Sequence, residues 1–443
     1  MVSNSSNKVR GKIRTSLRYS FYDGVFASSM TGFTQEFFAP LILVLRGTAA
    51  HIGMLSALPN LIGSLIQAAS AMLSERFKSR KTVACTFVLI QAFTLIPIAV
   101  MALAGTVSPM AVIFFVVLFV SAGAVATPAW ASMMSDLVPS AKRGAYFGWR
   151  NRILGFIMVG ASFTAGIILN IMKGVNVFAG FFVIFGLAFL LRAASWKFLT
   201  KMYEPPLKFG SEHRFTFLEF IKRTRKSNFA QFVLFVAAMN FCVNMASPYF
   251  SVLMLRDLHF SYFLYTTITI SAPLTVYFMI RRWGLHADHA GNLKVIQHTA
   301  PFIGLIPVFW ILNRSPLVLF AAQIFSGFVW AGFNLATSNF IYDAVSPEKR
   351  VRCICYFNVI NGTALCGGAL LGGALLRYLP PIMGYNILTL MAVSAVLRTL
   401  VGIFLPRWLK EVRSVSKVNH TDLFFSVIGV RPLIGIERKT IRY

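Results

Sequence analysis

Two polar residues, Glu36 and Asn244, lie in apolar stretches where their side chains could bind or carry a charged group. Each stands four residues before a proline, Pro40 or Pro248, so the two pairs repeat at a separation of 208 residues. A carboxyl group can exchange a proton or bind a cation, and an amide donates and accepts neutral hydrogen bonds. Proline leaves the carbonyl four residues earlier without its helical partner. The spacing therefore predicts a polar, bendable site at matching positions in two related halves.

The elements that must position these residues are membrane-spanning helices. Hydrophobic residues make up 57% of the chain and charged residues only 13%, whereas soluble domains carry about 25% charged residues. Residues 82–105 and 107–135 contain no charge at all. About 20 apolar residues in a helix cross the hydrocarbon layer of a bilayer. The sequence therefore predicts an all-α membrane protein.

Charge clusters and Gly/Pro breaks divide the chain into twelve predicted spans in two groups of six. The first group covers residues 20–45, 50–74, 82–104, 108–136, 145–172 and 176–199. The second group covers residues 228–255, 260–281, 295–313, 316–342, 352–376 and 383–405. The predicted domains are an N-terminal tail (1–19), a six-helix bundle (20–199), a linker (200–227), a second six-helix bundle (228–405) and a basic tail (406–443).

The net charge of +28 is distributed as a topology signal. Most Lys and Arg residues lie in the tails, the linker and every second connection between spans. By the positive-inside rule these segments are cytoplasmic, so we expect a multi-pass protein of the cell (inner) membrane with both termini cytoplasmic. The same residues would contact anionic lipid head groups. No basic face stands apart from the spans, which argues against nucleic-acid binding.

The sequence contains an internal repeat. SDLVPSAKRG at 135–144 and YDAVSPEKRV at 342–351 place Asp136 and Asp343, and likewise Arg143 and Arg350, 207 residues apart. Further identities at the same separation continue along spans 5 and 11. Parallel six-helix halves, related by an axis along the membrane normal, are a known plan for transporters. The repeat therefore predicts two such halves.

A second repeated motif lies between spans 2 and 3 and between spans 8 and 9. GLHADHAGNLK at 284–294 and AMLSERFKSRK at 71–81 resemble the cytoplasmic signature G-x-x-x-D-R-x-G-R-R-K of the major facilitator superfamily. The earlier copy departs from the signature, because Lys78 stands where a turn glycine is expected. The resemblance covers about residues 18–405. It implies the twelve-helix fold of that family and the transport of a solute across the membrane.

An acidic residue at a helix end, followed by a tight turn and several bases, can contact a helix N-terminus or a base on another helix. The resemblance implies that such contacts hold one access state of a transporter and break in the other. The residues expected to form this latch are Glu75, Arg76, Arg80, Lys81, Asp136, Arg143, Gly284, Asp288, Gly291, Lys294, Asp343 and Arg350. The alternatives are a solvated basic loop that only sets topology and, for Asp136 and Asp343, simple helix capping.

The resemblance also implies that spans 1, 4, 7 and 10 line a central cavity. The residues expected there to bind substrate or couple transport are Gln35, Glu36, Thr127, Trp130, Asn240, Asn244, Trp330 and Asn334. A charge at the centre of a membrane helix costs about 2.5–3.5 kcal/mol, so we expect Glu36 to exchange a proton or to bind a cationic group of the substrate. For the neutral residues, hydrogen bonding between helices is the alternative. Arg192 and Arg398 are expected to reach the head groups or to pair with an acid.

These features favour a secondary transporter that moves a small organic solute by alternating access, with proton coupling left open. The chain has no GxxxxGK[ST] loop for ATP. A lipid or lysolipid flippase on the same fold is the alternative, and a content of 43 phenylalanines agrees with it. A membrane enzyme comes third, because the cysteines and histidines form no catalytic or metal-binding pattern. We expect no enzyme activity, catalytic residue, metal or cofactor. The expected partners are a small-molecule substrate and membrane lipids, with no nucleic acid, and the expected state is a monomer.

Overall fold

The computed structural model describes residues 2–67, 69–206, 227–345 and 347–413, with side chains at all of these positions except 2–10, 71, 140–141 and 347–352. The described residues form helices joined by turns and short loops, without a strand. Most of the predicted linker and most of the predicted basic tail lie outside the described residues.

The first half contains eight helices within the described residues. They are α1 (Val2–Thr34), α2 (Phe38–Val44), α3 (Ala49–Gln67), α4 (Ala69–Arg76), α5 (Arg80–Ala104), α6 (Pro109–Leu137), α7 (Ser140–Met172) and α8 (Val177–Leu199). In the second half the corresponding helices are α9 (Asn228–Ala246), α10 (Phe250–Val252), α11 (Tyr262–Ala290), α12 (Asn292–Ile303), α13 (Leu305–Leu312), α14 (Pro316–Ala344), α15 (Pro347–Leu375) and α16 (Asn386–Phe404).

By length and composition, eleven helical segments within the described residues could cross a membrane. They correspond to predicted spans 2 to 12. The first predicted span corresponds to α1 and α2, which are separated by a turn at residues 35–37. The predicted all-α membrane fold is confirmed, and a count of twelve spans agrees with the structure.

Both prolines that follow the polar sites lie at interruptions of their helices. Pro40 belongs to α2, just after the turn that ends α1. Pro248 lies in a 3₁₀ turn, Ser247–Tyr249, and the chain then passes through α10 into a π turn, Leu253–Asp257. Since proline cannot donate the next hydrogen bond, a break at each site is the expected result. Both helices are thus interrupted near the predicted sites, and the greater freedom to bend stays a prediction.

Side-chain caps mark the starts of α5 and α8. Ser79 Oγ accepts a hydrogen bond of 3.0 Å from the Thr82 amide at the start of α5. Asn176 Oδ1 accepts from the amides of Phe178 and Ala179 at the start of α8. Such caps satisfy amide groups that have no partner within the helix. They determine where α5, which carries Gln91, and α8, which carries Arg192, begin.

The chain divides into two compact units, one comprising Met1–Gly210 with Tyr249–Ile270 and the other comprising Ser211–Pro248 with Ser271–Tyr443. Tyr249–Ile270 therefore groups with the first unit, whereas the sequence-based boundaries place it in the second bundle. In the first unit α5 packs against α6 and α8, and α1 packs against α7 and α8. In the second unit α9 packs against α15 and α16, and α12 packs against α14 and α16.

Candidate functional site

The first unit contains a polar cavity of about 300 Å³ between α1, α5, α6, α7 and α8. Its ionisable lining residues are Asp23 of α1, Arg150 of α7 and Arg192 of α8. Each of the three is at most 9% exposed. An ionisable group in a membrane-spanning helix is costly, and such groups mark substrate and ion pathways. This cavity is the candidate functional site.

Arg192 is fixed by neutral partners that connect it to Asp23. Its Nε donates to Gln91 Oε1 at 2.8 Å and its Nη1 donates to Ser195 Oγ at 3.1 Å. Ser195 Oγ in turn donates to Asp23 Oδ1 at 2.6 Å. Within the part of the chain that the structure describes, Asp23 forms no direct ion pair with a basic residue. The Asp23 carboxylate and the Arg192 guanidinium are thus bridged by a hydroxyl group, at the end of the cavity where α1 and α8 meet.

The position of Arg192 differs from one of its two predicted locations. The sequence suggested that it would reach the lipid head groups or pair with an acid. In the structure it is buried, with only 9% of its surface exposed. It interacts with an acid, but through Ser195. Because Arg192 lies in the last third of α8, which ends at Leu199, its side chain could have reached either the core or the membrane surface, and the partners on α1 and α5 decide the outcome.

Arg150 lies on the α7 side of the same cavity. One guanidinium nitrogen, Nη2, donates to the Ser20 carbonyl at 3.0 Å. The guanidinium lies over the Trp130 ring, 4.7 Å from its centroid, in a cation–π contact. Its Nε is buried and has no hydrogen-bond partner among the described residues. The site therefore holds an oriented guanidinium with donor capacity to spare.

Of the residues predicted to bind substrate, Thr127 and Trp130 line this cavity and Gln35 and Glu36 do not. The Thr127 hydroxyl donates to the Gly123 carbonyl at 2.8 Å, so it can only accept from a ligand. Gln35 is exposed and Glu36 is half-buried, both in the turn that separates α1 from α2. Among the described residues, none forms an ion pair or a hydrogen bond with the Glu36 carboxylate. The structure thus separates Glu36 from the charged cavity.

The predicted polar residues of the second half belong to the second unit. Asn240 Nδ2 donates to Asn361 Oδ1 at 2.8 Å, and Asn244 Nδ2 donates to the Leu365 carbonyl at 2.7 Å. Both bonds join α9 to α15, which is the helix-to-helix bonding considered as the alternative to substrate binding. Trp330 contacts Phe333 edge to face, with ring centroids 5.5 Å apart. Asn334 is exposed.

Arg398, the counterpart of Arg192 in the repeat, is held by neutral groups. Its Nε donates to Ser394 Oγ at 2.8 Å, and its Nη2 donates to the Val243 carbonyl at 3.0 Å. It is 1% exposed, and no described carboxylate pairs with it. The bond to Val243 joins α16 to α9, which indicates a structural role. Among the described residues, Arg398 thus has no counterpart of the link through Ser195 that joins Arg192 to Asp23.

Two of the predicted latch residues of the first half, Arg80 and Lys81, contact Glu204, a residue that the sequence interpretation placed in the linker. Glu204 accepts from Ser79 Oγ at 2.6 Å, from the Arg80 amide at 2.6 Å and from the Lys81 amide at 3.2 Å. Arg80 Nη1 contacts Asp136 Oδ2 at 2.7 Å, and the Arg80 side chain is only 4% exposed. A carboxylate at the start of α5 also interacts favourably with the helix dipole.

The second half repeats this arrangement around Glu411. Glu411 Oε2 accepts from the Leu293 amide at 2.8 Å, near the start of α12. Asp343 contacts Arg413 at 2.7 Å and accepts from Asn292 Nδ2 at 2.7 Å. The hydrogen bond that Arg413 donates to the Asp343 carboxylate raises the pKa of the Arg413 guanidinium. Glu204 and Glu411 are 207 residues apart, the separation of the sequence repeat, and that spacing is the signal that could have identified both.

The remaining predicted latch residues make weaker contacts or none that are described. Asp288 lies 3.5 Å from Arg413 and is 73% exposed. Arg143 donates to the carbonyls of Val138 and Ser135, as a helix cap does, and does not pair with Asp136. The side chains of Glu75, Arg76, Lys81 and Lys294 also form no ion pair in the described part of the chain. The Arg350 side chain lies outside the described residues, and Gly284 has no side chain to pair.

The two signature turns share one backbone requirement. Gly291 has φ +92°, and Lys78, at the matching position of the first copy, has φ +50°. A positive φ is readily adopted by glycine and costs free energy for lysine. Both copies therefore have a positive φ at this position. The helices that follow begin in different registers, because Gly291 is itself the N-cap of α12 whereas Ser79, one residue after Lys78, is the N-cap of α5.

No described group of three or more His, Cys, Asp or Glu side chains is placed to hold a metal ion. The described residues form helices long and apolar enough to cross a membrane, and helices of the first unit enclose a cavity that is lined by Asp23, Arg150 and Arg192. The model of the Major Facilitator Superfamily matches residues 24–369, most of the chain. The chain belongs to this superfamily, and its function is the transport of a solute across a membrane.

Solved transporters share the fold at low sequence identity. A mutant of the nucleoside transporter NupG has a TM-score of 0.71 at 14% identity, covering 89% of this chain and 100% of its own. An auto-inhibited POT family peptide transporter has a TM-score of 0.69 at 12% identity, covering 91% and 99% of the two chains. The xylose transporter XylE from E. coli has a TM-score of 0.63 at 11% identity, covering 92% and 100%. A search among curated protein sequences returned no match.

Proposed function

We propose that this protein is a secondary active transporter that moves a small organic solute by alternating access. The observation that carries the proposal is the cavity that holds Asp23, Arg150 and Arg192 inside the helices of the first half. Burying three ionisable side chains among membrane-spanning helices costs free energy, and such residues mark substrate and ion pathways. The cavity has the size of a small ligand site, which starts at roughly 300 Å³.

The paired charged clusters support the alternating-access part of the proposal. Glu204 and Glu411 occupy matching places in the repeat, and so do Asp136, which contacts Arg80, and Asp343, which contacts Arg413. Both clusters lie close to the connections that we expect to be cytoplasmic. Charge-assisted contacts of this kind are strong enough to hold one conformation and still break in another. We propose that both clusters act as latches on the cytoplasmic side. The proposal includes a topology in which both termini are cytoplasmic and the membrane is the cell (inner) membrane. It also includes a monomeric state.

The structural neighbours support a small organic solute. Their names describe the transport of nucleosides, peptides and xylose, all of which are compact polar molecules. A flippase needs a site for an acyl chain, whereas the cavity of this protein is lined by three charged groups and several hydroxyls. Whether protons drive the cycle depends on a carboxyl group that is charged in one state and neutral in the other. Glu36 and Asp23 are the candidates for that role.

Uptake by purified protein in liposomes tests the proposal. A panel of labelled nucleosides, sugars, peptides and organic acids would be offered outside, and flipping of a fluorescent lipid would be measured in parallel. Arg192→Gln should abolish uptake of the transported solute, whereas Arg377→Gln, a change at an exposed loop residue, should leave it unchanged. Flipping of the lipid without uptake of any solute would show that the protein is a flippase.

A further inference from the structure

We propose that the cavity of the first half takes an organic anion, whose carboxylate or phosphate group binds to Arg150 beside the fixed charge of Arg192. This assignment names the substrate class for the transport function proposed here and rests on it. It is carried by the charge balance of the cavity, by the free donor of Arg150 and by the mixed lining of the remaining space.

The charge balance of the cavity is positive. Asp23, Arg150 and Arg192 are the ionisable residues in its lining, so two guanidinium groups face one carboxylate. The carboxylate forms no direct ion pair with either arginine, since it is reached from Arg192 only through Ser195. A buried charge without compensation is strongly unfavourable. One bound anion would neutralise the cavity.

Arg150 is the group best prepared to bind that anion. It is 6% exposed, its Nη2 is held by the Ser20 carbonyl, and its Nε has no partner in the described part of the chain. The guanidinium also lies over the Trp130 ring, 4.7 Å from its centroid. A planar guanidinium matches the two oxygens of a carboxylate or a phosphate. Arg192 has two nitrogens engaged by Gln91 and Ser195, so it mainly supplies fixed positive charge.

The rest of the lining suits an organic body attached to the anion. Met30, Val88 and Leu154 contribute apolar surface. The hydroxyls of Thr31 and Thr127 donate to carbonyls of their own helices and can therefore accept a hydrogen bond from a ligand hydroxyl or amide. A purely inorganic anion would use the guanidinium and leave these groups without a function.

Thermal unfolding of the purified protein with matched pairs of compounds tests the assignment without knowledge of the natural substrate. The pairs are benzoate with benzamide, lactate with lactamide, and phenyl phosphate with phenol. We expect at least one anion to raise the melting temperature of the wild type while its neutral partner does not. In Arg150→Gln the affinity for that anion should fall by about ten-fold or more, the size expected for a lost charge-assisted contact. Arg377→Gln should behave as the wild type.

Arg150→Lys is the second variant, because lysine keeps the charge and loses the planar pair of donors. It should still prefer the anion to its neutral partner, with weaker binding than the wild type. Equal stabilisation by anions and neutral partners overturns the assignment, as does an equal response of the wild type and Arg150→Gln. Absence of a shift with all three anions also overturns it. The wild-type comparison decides the question even if Arg150→Gln does not fold.

Uptake measurements separate a failure of this assignment from a failure of the transport function. If Arg150→Gln carries a neutral solute as fast as the wild type, the site does not select anions, and the protein is still a solute transporter. If only lipid moves, the transport proposal is wrong, and selective stabilisation by anions then has to be explained by another role of the cavity.

Discussion

The hydroxyl of Tyr265 donates to the main-chain carbonyl of Glu36 at 2.9 Å. That carbonyl lacks its helical partner because the residue four positions later is Pro40. Both residues belong to the first unit, and Tyr265 is 2% exposed. The hydroxyl of Tyr265, on α11, thus supplies the hydrogen bond that the Glu36 carbonyl lacks because of Pro40.

Tyr265→Phe should therefore destabilise the protein. The substitution keeps the ring and leaves the Glu36 carbonyl without a donor, which costs about 1–3 kcal/mol for a buried group. Thermal unfolding of the purified protein measures the change. Tyr378→Phe is the control, since Tyr378 is 83% exposed and should tolerate the loss of its hydroxyl. Equal melting temperatures for the wild type and Tyr265→Phe would mean that water already satisfies this carbonyl.

Glu36→Gln tests proton coupling. The Glu36 carboxylate has no ion pair or hydrogen bond among the described residues, and glutamine keeps its shape while removing its titration. If protons couple at this residue, the variant should lose accumulation driven by a pH gradient and keep downhill exchange. If Glu36 instead holds a cationic group of the substrate, binding should be lost as well. Arg377→Gln, at an exposed loop position, is the control. Wild-type accumulation, binding and pH dependence in Glu36→Gln would leave Asp23 as the candidate coupling residue.

Asp343→Asn should shift the access equilibrium toward the state open to the cytoplasm more than Asp288→Asn does, because Asp343 makes the closer contact with Arg413. Asp343 is 15% exposed and contacts Arg413 at 2.7 Å, whereas Asp288 is 73% exposed and 3.5 Å away. Contacts to a charged group contribute about 1.5–3 kcal/mol. Because Arg413 is partly solvated, we expect the lower end, a shift of about ten-fold in the access equilibrium. The rate at which a cytoplasmic reagent labels a cavity cysteine reports this shift. A larger effect of Asp288→Asn would mean that Asp288, the acidic residue of the signature, and not Asp343, stabilises the state closed to the cytoplasm.

Lys78→Gly should stabilise the protein. Lys78 adopts φ +50°, a left-handed backbone conformation that costs about 1 kcal/mol for a residue with a side chain. Gly291→Ala is the matched change of opposite sign at the equivalent turn, where φ is +92°. A rise in melting temperature for Lys78→Gly and a fall for Gly291→Ala would show that both positions require a positive φ. A fall for Lys78→Gly would mean that the lysine side chain contributes more than its backbone costs.

The sequence predicted the fold well because its signals are regular. Apolar runs of membrane length, breaks at charge clusters and a repeat at 207 residues each depend on local pattern. The break at Pro40 was predicted for the same reason, since it follows from the chemistry of one residue. Arg80 and Asp136 were both placed in the latch on the strength of the signature and the repeat, and they contact each other.

The charged cavity was much harder to predict. Asp23 and Arg150 lie near the ends of predicted spans, where charged residues usually reach the head groups. Only the packing of α1 against α7 and α8 brings them together with Arg192. Glu204 and Glu411 were missed because they stand in segments interpreted as linker and tail. Their separation of 207 residues equals that of the repeat and marks them as counterparts.

Labelling of a single cavity cysteine tests alternating access most directly. Ser28 lines the cavity, so Ser28→Cys would be introduced into a variant that lacks the five native cysteines. An impermeant maleimide would be applied separately from each side of oriented membrane vesicles. We expect labelling from both sides, at rates that Asp343→Asn shifts in opposite directions, and protection by the transported solute. Labelling from one side only, unchanged by Asp343→Asn and by solute, would contradict alternating access through this cavity.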